Sequence, residues 1–242
     1  MRNRITTALL AVVCLALGMS ACSSSHQLVD DSPAAALQAV QGAIDTSGSM
    51  HFVDTSSDPT GTTVLTGDIG PTSATETVRG TGDPLEARLV QGLAYVKADE
   101  AVLVGTIGLS PDVASAHVQQ WVSLDQGDAA YQQVAGSLGI QSETSSYLPT
   151  RKVTMRTTVV HMRQVVELSG PLPASALHST GTVAIYVSPD APYLPVMGTI
   201  TSTTATKTGT QTHHETVVFS HWGETVAPAA PPGAVSFDSI NA

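Results

Sequence analysis

The chain has 242 residues and a formal net charge of −10; only 12% of it is Asp, Glu, Lys or Arg, and only 4% is aromatic. An acidic, sparsely charged surface repels phosphate backbones and anionic headgroups, which excludes nucleic acid as a partner and electrostatic docking on an anionic bilayer; contact with lipid must then be made through apolar surface. The only cysteines are Cys14 and Cys22, so beyond residue 22 there is no disulfide, thiolate metal site or cysteine nucleophile.

Arg2 and Arg4 precede an almost wholly apolar run at 8–18, of signal-peptide length and short for a bilayer span. Met19-Ser20-Ala21 then lead into Cys22 and Ser23-Ser24-Ser25. This resembles a bacterial lipobox, with Met19 in place of the usual Leu. The resemblance implies cleavage after Ala21, a diacylglyceryl thioether on Cys22, and an acylated N-terminus on the outer side of the cell membrane, facing the periplasm or cell wall. Two or three acyl chains anchor firmly where one does not. The other reading is a plain secretory signal with an incidental cysteine. Either way residues 1–21 are an address, and their loss takes two arginines and moves the charge from −10 to −12. No later stretch reaches the ~18 apolar residues of a spanning helix.

Residues 22–31 read as a short polar tether, and 32–242 as one domain. Ser32-Pro33 opens a helix, with Ser as N-cap and Pro in the first turn. Leu37, Val40 and Ile44 follow at helical spacing, and Ser47-Gly48 ends it. From residue 50 the texture turns to Thr and Val broken by Gly, Pro and Asp. Strands are predicted at 50–55, 62–69, 72–79, 85–90 and 93–97. Residues 101–107 fit a strand or a loop, 110–118 carry no clear signal, and 121–124 fit a short strand. Residues 128–138 predict a second helix with Tyr131, Val134, Ala135 and Leu138 on one face and Gly139 as its C-cap. Strands follow at 152–160, 164–168, 180–187, 196–206 and 212–219, with a helical turn at 172–177. The Pro-rich stretch 227–234 holds neither strand nor helix and should wrap the surface. Helix, meander, helix, meander implies an α+β fold: one large antiparallel sheet with helices on one face, curled into a half-barrel with the helices on its concave side.

Period-2 alternation separates the two faces. Val183, Ile185 and Val187 oppose Thr182, Ala184 and Tyr186. Val166 and Leu168 oppose Val165 and Glu167; Leu85, Ala87 and Leu89 oppose Glu86 and Arg88. A lipid site needs apolar side chains and no buried charge on the concave face, which makes Leu85, Leu89, Val166, Leu168, Val183, Ile185 and Val187 its candidate lining. An ordinary packed core uses the same residues.

Catalytic signatures do not emerge. His213-His214-Glu215 is not a zincin motif, because Val218 stands where the second histidine belongs, and adjacent strand histidines point to opposite faces; solvent-facing histidines are expected. No Gly-x-Ser-x-Gly elbow, Ser-x-x-Lys set or phosphate-cradling glycine loop occurs. Trp121 and Trp222 could stack on sugars, but single tryptophans more often serve core or rim. The Thr-rich run 199–210 reads as an exposed hairpin in preference to an O-glycosylation tract.

Ser220-His221-Trp222-Gly223-Glu224-Thr225-Val226 before the Pro-rich tail resembles the closing strand of the LppX/LprG-type lipoproteins of mycobacteria. Leu168-Ser169-Gly170, the strand 182–187 with Ser188-Pro189-Asp190, and the return through Leu194-Pro195-Val196 support the likeness. So, more loosely, do the opening helix, Gly92-Leu93-Ala94-Tyr95-Val96 and Trp121-Val122. The resemblance implies a monomeric, non-enzymatic half-barrel without cofactor, whose cavity holds the acyl chains of a lipid or lipoglycan and carries them through the envelope to a transporter or acceptor membrane. The alternative is an envelope interaction or scaffold module with a packed core and no lipid cargo. One departure stands out: relatives often turn at Asn-Gly where this chain has Val160-His161-Met162-Arg163, so a longer, bulged or shifted hairpin is expected there.

Overall fold

The computed structural model describes residues 27–172, 179–207 and 209–241. Cys22, the leader and most of the turn expected at 172–177 lie outside them. The first described element lies before the expected domain start at residue 32. Leu28–Asp30 form a turn of 3-10 helix, Leu28 is fully buried, and its amide donates to the Pro189 carbonyl at 3.2 Å. Within the stretch 22–31 expected as a tether, one leucine among polar neighbours thus docks into the core.

Helix α1 (Pro33–Ser47) starts as expected. The Ser32 hydroxyl accepts from the Ala35 amide at 3.3 Å, Pro33 occupies the first turn, and Gly48 closes the helix at φ 74°. Ala36, Val40, Ala43 and Ile44 form its buried stripe. Strands β1 (Met50–Asp58), β2 (Gly61–Ile69), β3 (Ala74–Arg79), β4 (Leu85–Val90) and β5 (Leu93–Lys97) follow as a meander. Residues 101–107 are helical, neither strand nor loop: α2 (Glu100–Val102) runs into a π turn at Leu103–Ile107. The Asp99 carboxylate caps α2 by accepting from the Val102 amide at 2.9 Å, and Leu103 and Ile107, four apart, are buried together. Helix α3 (Pro111–Ala116) precedes β6 (Val122–Leu124).

Of the helix expected at 128–138, Tyr131–Ser137 forms as α4, and a further helix that was not expected, α5 (Ile140–Ser145), follows it. Gly139 is extended, at φ −117° and ψ 145°, so it begins α5 where a left-handed C-cap of α4 was expected. Then come β7 (Thr154–Val160), β8 (Arg163–Pro171), β9 (Ser179–Val187), β10 (Pro195–Thr206) and β11 (Gly209–Ser220). After the tail, β12 (Val235–Ser236) and α6 (Phe237–Ile240) end the described chain; neither was expected.

All twelve strands join one open sheet in the order β12-β6-β5-β4-β3-β2-β1-β11-β10-β9-β8-β7. Only β12–β6 is parallel. The two meanders meet at β1 and β11, where Phe52 faces Phe219 and Asp54 faces Val217. One apolar face of this curled sheet forms a continuous core with α1, the α2–π–α3 stretch, α4 and the segment after α5. The fold is thus the α+β arrangement expected.

The β7–β8 hairpin is tight, correcting the expectation of a longer or shifted loop. Val160 pairs directly with Arg163, and His161 and Met162 both sit at positive φ, 47° and 62°. The β4–β5 hairpin uses the same two-residue form with Gln91 and Gly92 at 53° and 81°. Such turns favour Asn-Gly, because side chains at left-handed positions are strained. His161→Asn with Met162→Gly is expected to raise unfolding stability by about 1 kcal/mol, read from the urea midpoint at unchanged slope.

Candidate functional site

Strand register builds the site. One row across the covered face runs Met155, Leu168, Ile185, Gly198, Val217, Asp54, Leu65, Val78 and Leu85. The next runs Phe219, Phe52, Gly67, Glu76, Ala87, Val96 and Val122. All seven residues expected to line a cavity stand on this face. Val166, Leu168, Val183, Ile185 and Val187 are each 0% exposed, so no gap of water size lies beside them; Leu85 and Leu89 are half-buried against the same core.

The face also carries charge where none was expected. Asp54 of β1, Glu76 of β3 and Glu215 of β11 take positions in the apolar alternation, and Glu143 of α5 comes down from the helical roof. Tyr147, three residues beyond the last residue but one of α5, joins roof to sheet. Its ring lies on Gly198, where a Cβ would stand 2.5 Å from Cδ1, and meets Phe219 edge-on at 6.1 Å. Only glycine lets the ring come that close. The Tyr147 hydroxyl lies 2.8 Å from Asp54 Oδ2 and 2.5 Å from Glu215 Oε1. A phenol has one proton to donate. Both contacts are hydrogen bonds only when one of the two carboxyls is itself protonated and donates to the phenol oxygen. His213 Nε2 stands 3.2 Å from Glu215 Oε2. Asp54 Oδ1 and Glu76 Oε1 are buried without a protein partner.

These surroundings hold protons on Asp54, Glu76 and Glu143. Burial, above all, pushes Asp54 up to about 6; the Tyr147 hydrogen bond pulls it down and neighbouring Glu215 pushes it up. Burial raises Glu143 to about 7, helped by the charges of Asp54 and Glu215. Burial and then Glu143 raise Glu76 to about 8. The Tyr147 phenol is pushed upward by burial and then by its bond to Glu215. Neutral carboxyls are tolerated beside apolar side chains; ionised ones are not.

The remaining candidates are structural. His213 and His214 do point to opposite faces, but His213 turns inward to Glu215 instead of out to solvent, while exposed His214 lies 3.4 Å from Thr201 Oγ1. Among the described residues no three His, Cys, Asp or Glu side chains are grouped to hold a metal ion. Trp222 donates from Nε1 to the Pro195 carbonyl at 2.8 Å and packs near Phe219, and Trp121 lies under the Arg88 guanidinium at 4.8 Å. The Thr-rich run forms the β10–β11 hairpin, as expected. The tail crosses the face of the sheet opposite the helices, held by Ser73 Oγ to the Val226 carbonyl (2.7 Å) and Arg88 Nη1 to the Ala229 carbonyl (3.2 Å). A hollow of about 330 Å³ lies beneath its start, with His51 Nδ1 2.8 Å from Asp68 Oδ1 on its wall. Among the described residues no helix is long and apolar enough to cross a membrane.

No protein-family model matches the chain, and no curated protein does. Among solved structures it is similar to the complex structure of Pseudomonas aeruginosa MucA/MucB, at 15% identity and a TM-score of 0.33, over 85% of this chain and 59% of that one. It is also similar to the crystal structure of MucB in complex with MucA(peri), at 14% identity and a TM-score of 0.18, over 81% of this chain and 98% of that one. The chain thus spans less than two thirds of the first of these. At such overlap the likeness defines neither family nor activity.

The acids set a direction for pH. The folded chain keeps protons on Asp54, Glu143 and Glu76 that the unfolded chain has released by about pH 5. Their stabilising contribution is complete below about pH 4 and is lost as pH rises through their folded values, about 6, 7 and 8. Thermal melts should give a Tm that falls between about pH 5 and pH 8.5, and Glu143→Gln should flatten that slope. Gly198→Ala should displace Tyr147 and lower stability by roughly 1–3 kcal/mol, with a lost near-ultraviolet tyrosine signal as its mark.

Proposed function

We propose that this chain is an exported, acyl-anchored, non-enzymatic lipoprotein of the cell envelope, of the LppX/LprG type. It takes the acyl chains of a lipid or lipoglycan between its sheet and its helical roof and carries them to a transporter or acceptor membrane. Cys22 carries the anchor, on the membrane face toward the periplasm or cell wall. The observation that carries this reading is the mismatch between floor and roof. An apolar face spread over a twelve-strand sheet, about 55 Å across at ~4.8 Å per strand, is covered by α1, α4 and α5, of 15, 7 and 6 residues, and by the short helical turns of the α2–π–α3 stretch. The 15-residue helix is about 22 Å long. Half-buried Leu65, Leu85, Leu89, Met155 and Ile200 mark the margin where the roof stops. Acyl chains gain ~0.8 kcal/mol per CH₂ removed from water, ample for a long chain. The charge on the face is compatible with this cargo while the acids keep their protons.

A second reading, an envelope interaction or scaffold module without cargo, is favoured by the complete burial of Val166, Leu168, Val183, Ile185 and Val187. A carrier must lift its roof to bring lipid against them; a scaffold need not. Native mass spectrometry of residues 23–242, made without the acyl anchor in a lipid-rich host and purified without detergent, separates the two. A reproducible extra mass that extracts into organic solvent supports the carrier. A clean apo mass with no uptake of offered lipids sinks it in favour of the scaffold.

A further inference from the structure

The chain enters its domain at one end of the sheet, and that end is where large apolar side chains are exposed. The β7–β8 hairpin tip, the end of β9 and the start of β10 meet there around a hollow of about 440 Å³ lined by Val160, His161, Val165, Pro189, Val196 and Val218. Pro189 is also the residue whose carbonyl receives the Leu28 amide. Met162, at the hairpin tip, is 96% exposed, and Val159 beside it is 66% exposed. Val29 and Val218 are exposed as well, so four of the five exposed large apolar residues among those described belong to this end or to the entering chain. Met162 is moreover held at φ 62°, where glycine would be unstrained. A methionine kept at a strained, fully solvated tip contributes nothing to the core and points to a role outside it.

We propose that this end is a bilayer-docking surface, with Met162 and Val159 entering the lipid interface beside the anchor. The inference rests on the acyl anchor of the proposed function but not on a lipid cargo. Its occupant follows from chain length. Leu28 is six residues from Cys22, so even fully extended chain holds Leu28 within about 20 Å of an acylated Cys22. The opposite end is out of reach: β10, twelve residues long, carries the β10–β11 turn at Lys207 about 40 Å away. The charged groups at the docking end are His161, Arg163 and Asp190, with Asp30 and Asp31 beside Val29 on the entering chain; they are acidic on balance, so the contact is made by the apolar side chains.

The test uses the full chain, processed and acylated in a host that makes lipoproteins, in phosphatidylcholine–phosphatidylglycerol vesicles with or without brominated lipid. An acylated Cys22 is a thioether, so Met162→Cys supplies the only thiol for an environment-sensitive fluorophore. Lys207→Cys is the distal control, and Val159→Cys repeats the measurement from a second position. Brominated lipid is expected to quench the probe at 162 and 159 at least twofold and to leave 207 unchanged. Equal quenching at 162 and 207, or none at 162 and 159 in protein that floats with the vesicles, overturns the docking surface and leaves the anchor standing. Wild-type protein that takes up the fluorophore, or fails to float, shows a free Cys22 and overturns the anchor and the docking together.

Discussion

Everything in this molecule hangs on the antiparallel seam between β1 and β11. Each meander alone is a five- or six-strand sheet with an uncovered face. Pairing His51 to Ser220 through Ser57 to His214 fuses them into one floor and sets Phe52 against Phe219. α1 and the tail leave from the two sides of this seam, so both coverings are positioned by it. Seam residues also gather the acids: Asp54 and Glu215 lie on its two strands, and Tyr147 reaches down between them.

That gathering gives the interior an unusual balance. Apolar packing favours a closed roof at any pH, while Glu143 on the roof opposes Asp54 and Glu215 on the floor whenever these acids ionise. His213 turns inward to Glu215, and the Tyr147 hydroxyl reaches both Asp54 and Glu215. The roof is thus most firmly seated where the acids are neutral.

Local signals told well where the backbone punctuates itself. Ser32-Pro33 and Gly48 bound α1, and the strands at 85–90 and 93–97 match β4 and β5 to the residue. What escaped depends on partners far along the chain. Leu28 looks like tether because its burial depends on Pro189. The run 101–107 has strand-like composition, and only the Asp99 cap and the buried Leu103–Ile107 pair make it helical. His161-Met162 lacks turn chemistry yet turns tightly, since the register of β7 and β8 on the covered face overrides local preference. The acids were legible only by parity: Asp54 follows Phe52, and Glu215 precedes Val217, on the apolar side of their strands. Residues 54, 76, 143 and 215 share no motif, and topology alone brings them together.

The sheet finishes its two sides differently. At β6 the tail returns, and Val235 and Ser236 pair with Val122 and Ser123. The Val235 amide donates to the Trp121 carbonyl at 2.9 Å, and Ser123 Oγ to the Val235 carbonyl at 3.3 Å. At β7 no such strip is laid among the described residues; the outermost strand carries threonines and Arg156, whose guanidinium folds back onto Glu167 at 2.8 Å. Unpaired strand backbone is a template for other chains, and charge on it is a deterrent. The last few residues thus act as a selvedge, the woven border that keeps a cloth from fraying. They commit part of one margin to the molecule itself, whereas at the other margin no strand lies beyond β7 among the described residues.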